Sequence, residues 1–313
     1  MSARPEPQAA VPSARVLRAR QQLFETIRRF FRERDFLEVD TPIRLRAPAL
    51  EEYIDAIPAD GAYLRTSPEL HMKRLLAAGH ERLFQVGACF RRGESGRWHL
   101  PEFSMLEWYR ARADYRDILA DTVELVTAVA ASAGGGTVLQ TPAGPVDVAV
   151  SWEKRTVDEA FRRHAGMGVE QALAEGEFER LLVDRVEPRL GQTRPTVLFD
   201  YPAALGALAR AKPGRPEVCE RWELYIGGLE LANAYSELAD ASEQRRRFEQ
   251  AASLRRKLGR PVYPVDEAFL QALEQGMPPA GGIALGVDRL LALVLGAGAI
   301  RDVVPFAPAL SRD

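Results

Sequence analysis

Apolar and polar positions alternate in two neighbouring stretches and recur at helical spacing in several others, which divides the chain into elements. From Ala14 to Arg34 the residues Leu17, Phe24, Ile27 and Phe31, with Leu23 and Phe30 beside them, predict a helix that stops before Phe36. FLEVDTPIR follows, a short strand-like run in which Pro42 cannot donate a ladder bond and so marks an edge, a bend or a chain–chain contact. Tyr63 to Leu76 reads YLRTSPELHMKRLL and predicts a helix capped by Ser67, with Pro68 at its first position. Glu69 falls in the first turn, where a carboxylate complements the helix dipole or serves a ligand. Residues 84–110 form two extended segments. Phe84, Val86, Ala88 and Phe90 alternate, Arg91 to Leu100 break the pattern, and Phe103, Met105, Glu107 and Tyr109 alternate again. One face of the second segment thus carries aromatic rings and a carboxylate, beside a loop dense in Arg91, Arg92, Glu94, Ser95, Arg97 and His99; a surface hairpin laced by ion pairs has the same pattern.

Further along, a helix from Asp114 to Ala131, a glycine turn at Gly134–Gly136 and mixed amphipathic helical patterns through Leu190 read as packing and connection. Thr196 to Tyr201 reads as a strand, followed by a Pro/Gly-rich excursion through Pro216. In CERWELYIGGLELANAYSELAD, residues 219–240, Gly227-Gly228 argue against a continuous helix. Glu230 and Glu237 would point to opposite faces of a regular strand, whereas a bulge or bend near Asn233-Ala234 would bring them together. Converging carboxylates suit Mg²⁺ and phosphate partners, although an exposed acidic pair on a solvated face reads the same way. An Arg/Glu-rich helix spans Glu243 to Leu258. Then Gly281, Gly282 and Gly286 precede an apolar helix beginning near Asp288-Arg289, where glycines permit close approach of a ligand and a helix N-terminus favours anions.

Composition narrows the reading. At 313 residues the chain suits one large α+β domain with room for a deep site, after a Pro/Ala-rich tail over residues 1–14 expected to be disordered. Net charge is −2, from 42 Lys+Arg against 44 Asp+Glu, so no overall field favours nucleic acid or an anionic membrane. Cys89 and Cys219 are far apart and form no metal-type spacing, which fits a reducing, cytoplasmic setting. The longest apolar run, Leu290 to Ile300, is too short to span a bilayer. Only four basic residues are lysine (Lys73, Lys154, Lys212, Lys257), and Asn233 is the single asparagine. No GxxxxGK[ST], GxGxxG after a strand, HExxH, paired CxxC or GxSxG occurs, so the common nucleotide, zinc and hydrolase signatures are excluded.

TPIR after a helix, FRRGESGRWHLPEF, and GVDRL after glycines resemble, in this order, the three signature motifs of class II aminoacyl-tRNA synthetases. SPELHMKRLL, HLPEFSMLEWY, LELANAYSEL and MPP…GVDRL are similar to lysyl-tRNA synthetases, over about residues 15–310. The chain shows no N-terminal oligonucleotide-binding barrel. With the wording FSMLEWYR and IALGVDRL it resembles the family of truncated lysyl-tRNA synthetase paralogs that ligate (R)-β-lysine to elongation factor P. The resemblance implies an antiparallel sheet flanked by helices, a homodimer through the first motif, and ATP with Mg²⁺ used to adenylate lysine or β-lysine. The acyl group then passes to the ε-amine of a lysine on elongation factor P, with no anticodon-dependent tRNA binding.

Carried residue by residue, the resemblance implies that Arg91 grips the α-phosphate and the substrate carboxylate, and that Arg289 holds the γ-phosphate. Glu230 and Glu237 bind Mg²⁺ and nucleotide, with Glu237 also near the amino acid; Phe103 stacks on adenine; and Glu94, His99, Leu231 and Gly286 complete the nucleotide site. Ser67 and Glu69 meet the backbone-side amino group of lysine, Glu107 and Tyr109 surround its side-chain ammonium, and Asn233 and Ala284 line its pocket, the Ala284 methyl standing where lysyl-tRNA synthetases usually have glycine. Two positions depart from the pattern: Gly93 replaces the glutamate of FRNE, with Glu94 one residue later, and Leu100 replaces the asparagine of HNPEF. A minimal lysyl-tRNA synthetase and a silent amino-acid sensor are the alternatives. The Arg-rich helix around Arg245–Arg247 and Arg255–Arg256 is a candidate docking face for an acidic partner.

Overall fold

The computed structural model describes residues 11–308; residues 1–10 of the expected tail lie outside the described residues. Helix α1 (Ala14–Arg32) begins at Ser13, whose side chain accepts from the Val16 N–H, and buries Leu23, Ile27, Phe30 and Phe31 along one stripe. Leu17, expected in that stripe, is exposed, as are Leu37 and Ile43 of the segment that follows. Pro42 sits at the bend between two two-residue strands, Leu37–Glu38 and Arg44–Leu45.

Eight strands make the main sheet: β1 (Leu37–Glu38), β2 (Arg82–Phe90), β3 (Glu102–Ala111), β4 (Glu153–Thr156), β5 (Thr196–Phe199), β6 (Arg221–Ile226), β7 (Leu229–Ser236) and β8 (Ala280–Gly286). Their order is β1-β2-β3-β8-β7-β6-β5-β4. The centre is antiparallel, as the motifs imply, but β1 pairs with β2 and β4 with β5 in parallel, so the sheet is mixed at both edges. The two extended segments of residues 84–110 are β2 and β3, in a register that sets Gln85 opposite Glu107 and Cys89 opposite Phe103.

Strand alternation assigns the two faces. On one, Phe84, Leu106 and Trp108 meet α1, α3 (Tyr115–Gly134) and α6 (Val287–Leu295); Phe31 stacks on Phe84 at 4.7 Å and lies 5.2 Å from Trp108. Each such aromatic pair adds about 0.5–1.5 kcal/mol beyond area burial. On the other face, Tyr109 packs with Met72 and Leu76 of α2 (Glu69–Ala77), Phe248 of α4 (Ala241–Lys257), and Phe269 of α5 (Glu267–Gly276). Glu107 and Met105 share that second face, and the cavity opens over them. Asp114 caps α3 in a reciprocal box with Asp117, and Gly135 ends it in the left-handed conformation.

Residues 138–190, expected to be mixed helical patterns, also contain a hairpin, Val138–Thr141 with Gly144–Asp147, and the edge strand β4. Four-residue strands are too short for alternation to register against helical spacing.

Candidate active site

The site strand owes its shape to β6 and β7. Gly227 and Gly228 both take positive φ, the geometry of a tight two-residue hairpin, and the ladder then pairs Tyr225 with Glu230 but Leu224 with Ala232. Leu231 is the extra residue. The bulge therefore lies at Leu231, not near Asn233-Ala234 as expected, and it does not bring Glu237 beside Glu230: Leu229, Leu231, Ala232 and Ala234 join the apolar core, while Glu230, Asn233 and Tyr235 line the cavity.

Apart from Glu237, the residues singled out in the sequence meet in this one cavity: Ser67, Glu69, Arg91, Glu94, His99, Phe103, Glu107, Tyr109, Glu230, Leu231, Asn233, Ala284, Gly286 and Arg289. A surface hairpin is thereby excluded for residues 84–110.

One end is cationic. Arg289, in the first turn of α6, donates to the Glu230 carbonyl at 2.8 Å, its carboxylate at 3.3 Å and the Trp98 carbonyl at 3.2 Å, and its guanidinium lies 2.6 Å from His99 Nε2. Burial and then Arg289 hold the His99 imidazole below its usual pKa, which keeps it neutral beside the guanidinium. Arg91 lies over the Phe103 ring at 5.2 Å, has Glu94 at 3.7 Å, and leaves its Nε buried without a partner. An unpaired guanidinium donor beside an aromatic face fits a nucleotide phosphate next to its base. Gly93 is exposed with φ +81°, and this turn carries Glu94 to the cavity wall; Leu100 is buried in that wall. Asp288 accepts from Arg20 of α1 at 2.5 Å and from the Ser104 N–H at 2.6 Å, which fixes the start of α6 against α1 and β3.

The other end is acidic. Glu107 is 1% exposed and accepts from Ser67 Oγ at 2.6 Å and Tyr109 OH at 2.9 Å. Burial, and next the nearby Glu69, push its pKa up to about 8 against those two donors. The N-cap of α2 is Pro68, one residue later than expected, but Ser67 Oγ accepts from the Glu69 N–H at 2.9 Å and so satisfies the helix's first N–H while serving Glu107. Tyr235 OH donates to Glu69 at 3.3 Å.

Lys73 was not singled out as a site residue. Its ammonium is fully buried, 2.5 Å from Glu69 and 2.5 Å from Glu237. Burial works against that charge, but Glu237 and Glu69 outweigh it and raise its pKa. Burial pushes Glu237 up, and Lys73 opposes this. Gly282 leaves the space in which Glu237 and Tyr109 lie together, since a Cβ there would overlap both.

The paired-carboxylate expectation needs correction accordingly. Glu237 does not line the cavity because Lys73 holds it, whereas Glu230 faces Arg289, so the two acids are engaged by different cations. Among the described residues, no cluster of three or more His, Cys, Asp or Glu side chains is placed to hold a metal ion. Also unforeseen is the set Arg221, Glu223, Tyr201 and Tyr225: Glu223 accepts from Arg221 at 2.6 Å and Tyr225 OH at 2.6 Å, and from Tyr201, while Arg221 donates to Asn233 at 3.0 Å. The single asparagine is thus held by a buried ionic network. Along the candidate basic face on α4, Arg245 pairs with Glu267, Arg246 and Arg247 share Glu243, Arg255 is buried, and Arg256 is exposed.

The class II tRNA synthetase (D, K and N) family matches residues 11–309. The chain is 39% identical to a protein of Haemophilus influenzae (strain PittGG) named elongation factor P–(R)-beta-lysine ligase, over 95% of this chain and 96% of that one. A protein of the same name from Edwardsiella ictaluri is 39% identical over 96% and 97% of the two chains, and one from Mannheimia succiniciproducens 40% over 96% and 98%. None of the described helices is long and apolar enough to cross a membrane. With its motifs assembled around one cavity on a largely antiparallel sheet, this chain belongs to the class II tRNA synthetases of the D, K and N group, and within them to the elongation factor P–(R)-beta-lysine ligases.

Proposed function

We propose that this chain uses ATP to activate (R)-β-lysine or lysine as its adenylate and transfers the acyl group to the ε-amine of a lysine on elongation factor P. One observation carries the reading: a single cavity has arginines with an unsatisfied donor at one end and a carboxylate cluster short of positive charge at the other. The one buried ammonium, Lys73, is held between Glu69 and Glu237, while Glu107 has only the neutral hydroxyls of Ser67 and Tyr109 as partners. A lysine-type ammonium supplies the missing charge, whereas a neutral side chain would leave buried acids uncompensated.

ATP is a substrate here. In the activation step an oxygen of the amino-acid carboxylate attacks the α-phosphorus, the bond to the β-phosphate oxygen breaks, and pyrophosphate leaves. Arg91, whose Nε has no partner, stabilises charge on the α-phosphate, and Arg289 neutralises the far end of the triphosphate. Phe103 supports the adenine ring, with Glu94, His99, Leu231 and Gly286 around the nucleotide. Ser67 and Tyr109 orient Glu107 toward the ammonium, and Asn233 and Ala284 bound the pocket. Mg²⁺ commonly binds through one or two carboxylates together with phosphates, and Glu230 is the predicted metal acid that lines the cavity.

Exposed Leu17, Leu37 and Ile43 around α1 and β1 suit contact with a second copy in a cytoplasmic homodimer. The test is the intact mass of elongation factor P after incubation with ATP, Mg²⁺ and either lysine isomer, alongside amino-acid-dependent pyrophosphate exchange. A mass increase of one lysyl residue is expected; no exchange with either isomer would falsify the reading.

A further inference from the structure

A second cavity of about 620 Å³ adjoins the first, and the two share Glu51, Ile54 and Arg221. Its wall includes Gln244 of α4, which is 1% exposed yet has neither amide atom hydrogen-bonded. Leaving buried polar atoms unpaired is costly, so a buried free amide on a cavity wall marks where a polar visitor completes the bonding.

The charges along this passage select for a cation. Arg221 is neutralised by Glu223, while Arg246 and Arg247 share the one carboxylate of Glu243, which leaves a single positive charge against the three acids that follow. Glu51, Glu52 and Glu179 line the same passage without an ion pair among the described residues, and burial, then Glu179, raises the pKa of Glu52. Glu51 stands at the junction, where its loop is fixed by Arg255, which donates to the carbonyls of Glu51 at 2.7 Å and Ile54 at 2.9 Å and to Asp55 at 2.5 Å.

We propose that the second cavity admits the acceptor's lysine side chain and that Glu51, at the junction, removes the proton from its ε-ammonium. This inference rests on the function proposed above. The ammonium gives one proton to the Glu51 carboxylate. The freed lone pair forms the C–N bond to the acyl carbon as the C–O bond to the phosphate breaks, and AMP departs with that bonding pair. The second amine proton passes to the departing phosphate. Facing Glu51 are Arg91 and Glu94 from the loop after β2, Glu69 from α2, and Arg221 from β6. Burial, opposed chiefly by Arg91, brings Glu51 to about 6, so it is ionised and able to accept a proton at neutral pH.

Pyrophosphate exchange with lysine reports activation alone, and the mass of elongation factor P reports transfer. For Glu51→Gln the ratio of transfer to exchange is expected to fall about a hundredfold at pH 7, the order of a general base. The deficit should shrink as pH is raised toward the ~10.4 of a lysine amine, where deprotonation needs no base. Glu51→Asp should recover part of the ratio. Ala204→Trp, at the exposed rim of the second cavity, should also lower the ratio, with no recovery at high pH because it blocks passage. Equal losses of exchange and transfer in both variants would overturn the proposal while leaving the proposed function standing. Absence of exchange in the unaltered protein would overturn both.

Discussion

Glu237 Oε2 and Lys73 Nζ lie 2.5 Å apart, both shut off from solvent, and the same ammonium is 2.5 Å from Glu69. Removing one partner of a buried pair leaves its counter-charge stranded, at a cost of about 3–5 kcal/mol. Lys73→Met is therefore expected to lower unfolding free energy by that order in urea titrations. Adding Glu237→Gln should restore more than half of the loss, and a single variant as stable as the parent would refute the pairing.

Arg289 makes its bonds at the cavity wall and contributes little to the core. Arg289→Ala should reduce pyrophosphate exchange by about 10²–10³, the usual effect of deleting one donor aimed at developing charge. Its thermal melting should stay close to that of the parent. An unfolded variant would instead make Arg289 a structural residue.

Glu107 supplies a pH signature. Its folded pKa of about 8 lies above the ordinary 4.5, because burial, then Glu69, disfavours its charge, so the folded protein keeps a proton that the unfolded chain has released. Its contribution to stability is therefore full below about 4.5 and declines as pH rises toward about 8. A cationic amino acid binds the ionised form. Calorimetry at pH 7 in buffers of different ionisation enthalpy should show proton release on lysine binding, lost in Glu107→Gln. Affinity should climb by up to about tenfold per pH unit below the transition and level off above it. Buffer-independent heats would contradict this assignment.

Ala284 in β8 pairs across the sheet with Glu107 on one side and Asn233 on the other, so its methyl projects into the acid end of the cavity. Ala284→Gly should shift the exchange ratio toward α-lysine over (R)-β-lysine, by the few-fold to tenfold that one methyl group commands, about 1 kcal/mol. An unchanged ratio would show that the methyl plays no part in selecting the isomer.

Much of this site was legible because β2 and β3 alternate cleanly and because the motif residues sit on regular strands, where spacing predicts facing. Lys73 was hidden. Four residues after Glu69 it reads like an ordinary exposed helix pair, and only the packing of α2 against β2, β3 and α5 shows that it is buried. The scarcity of lysine in so arginine-rich a chain was the available signal. The separation of Glu230 from Glu237 was equally invisible, since it depends on which cation reaches each acid. The contact of Arg221 with Asn233 joins two strands, a relation that no local pattern encodes. The short strands at 138–156 were lost for lack of length.

The bond from Arg20 to Asp288 spans 268 positions and stands beside the arginine assigned to the phosphates. Its consequence concerns biosynthesis. A chain emerging from the ribosome has made its first helix long before the anchor for that helix exists, and the nucleotide end of the cavity cannot close until the last motif is out. Competence to bind nucleotide should therefore arise late and abruptly during synthesis, and a chain stalled before residue 288 would be inert toward ATP even with its lysine-binding acids already in place.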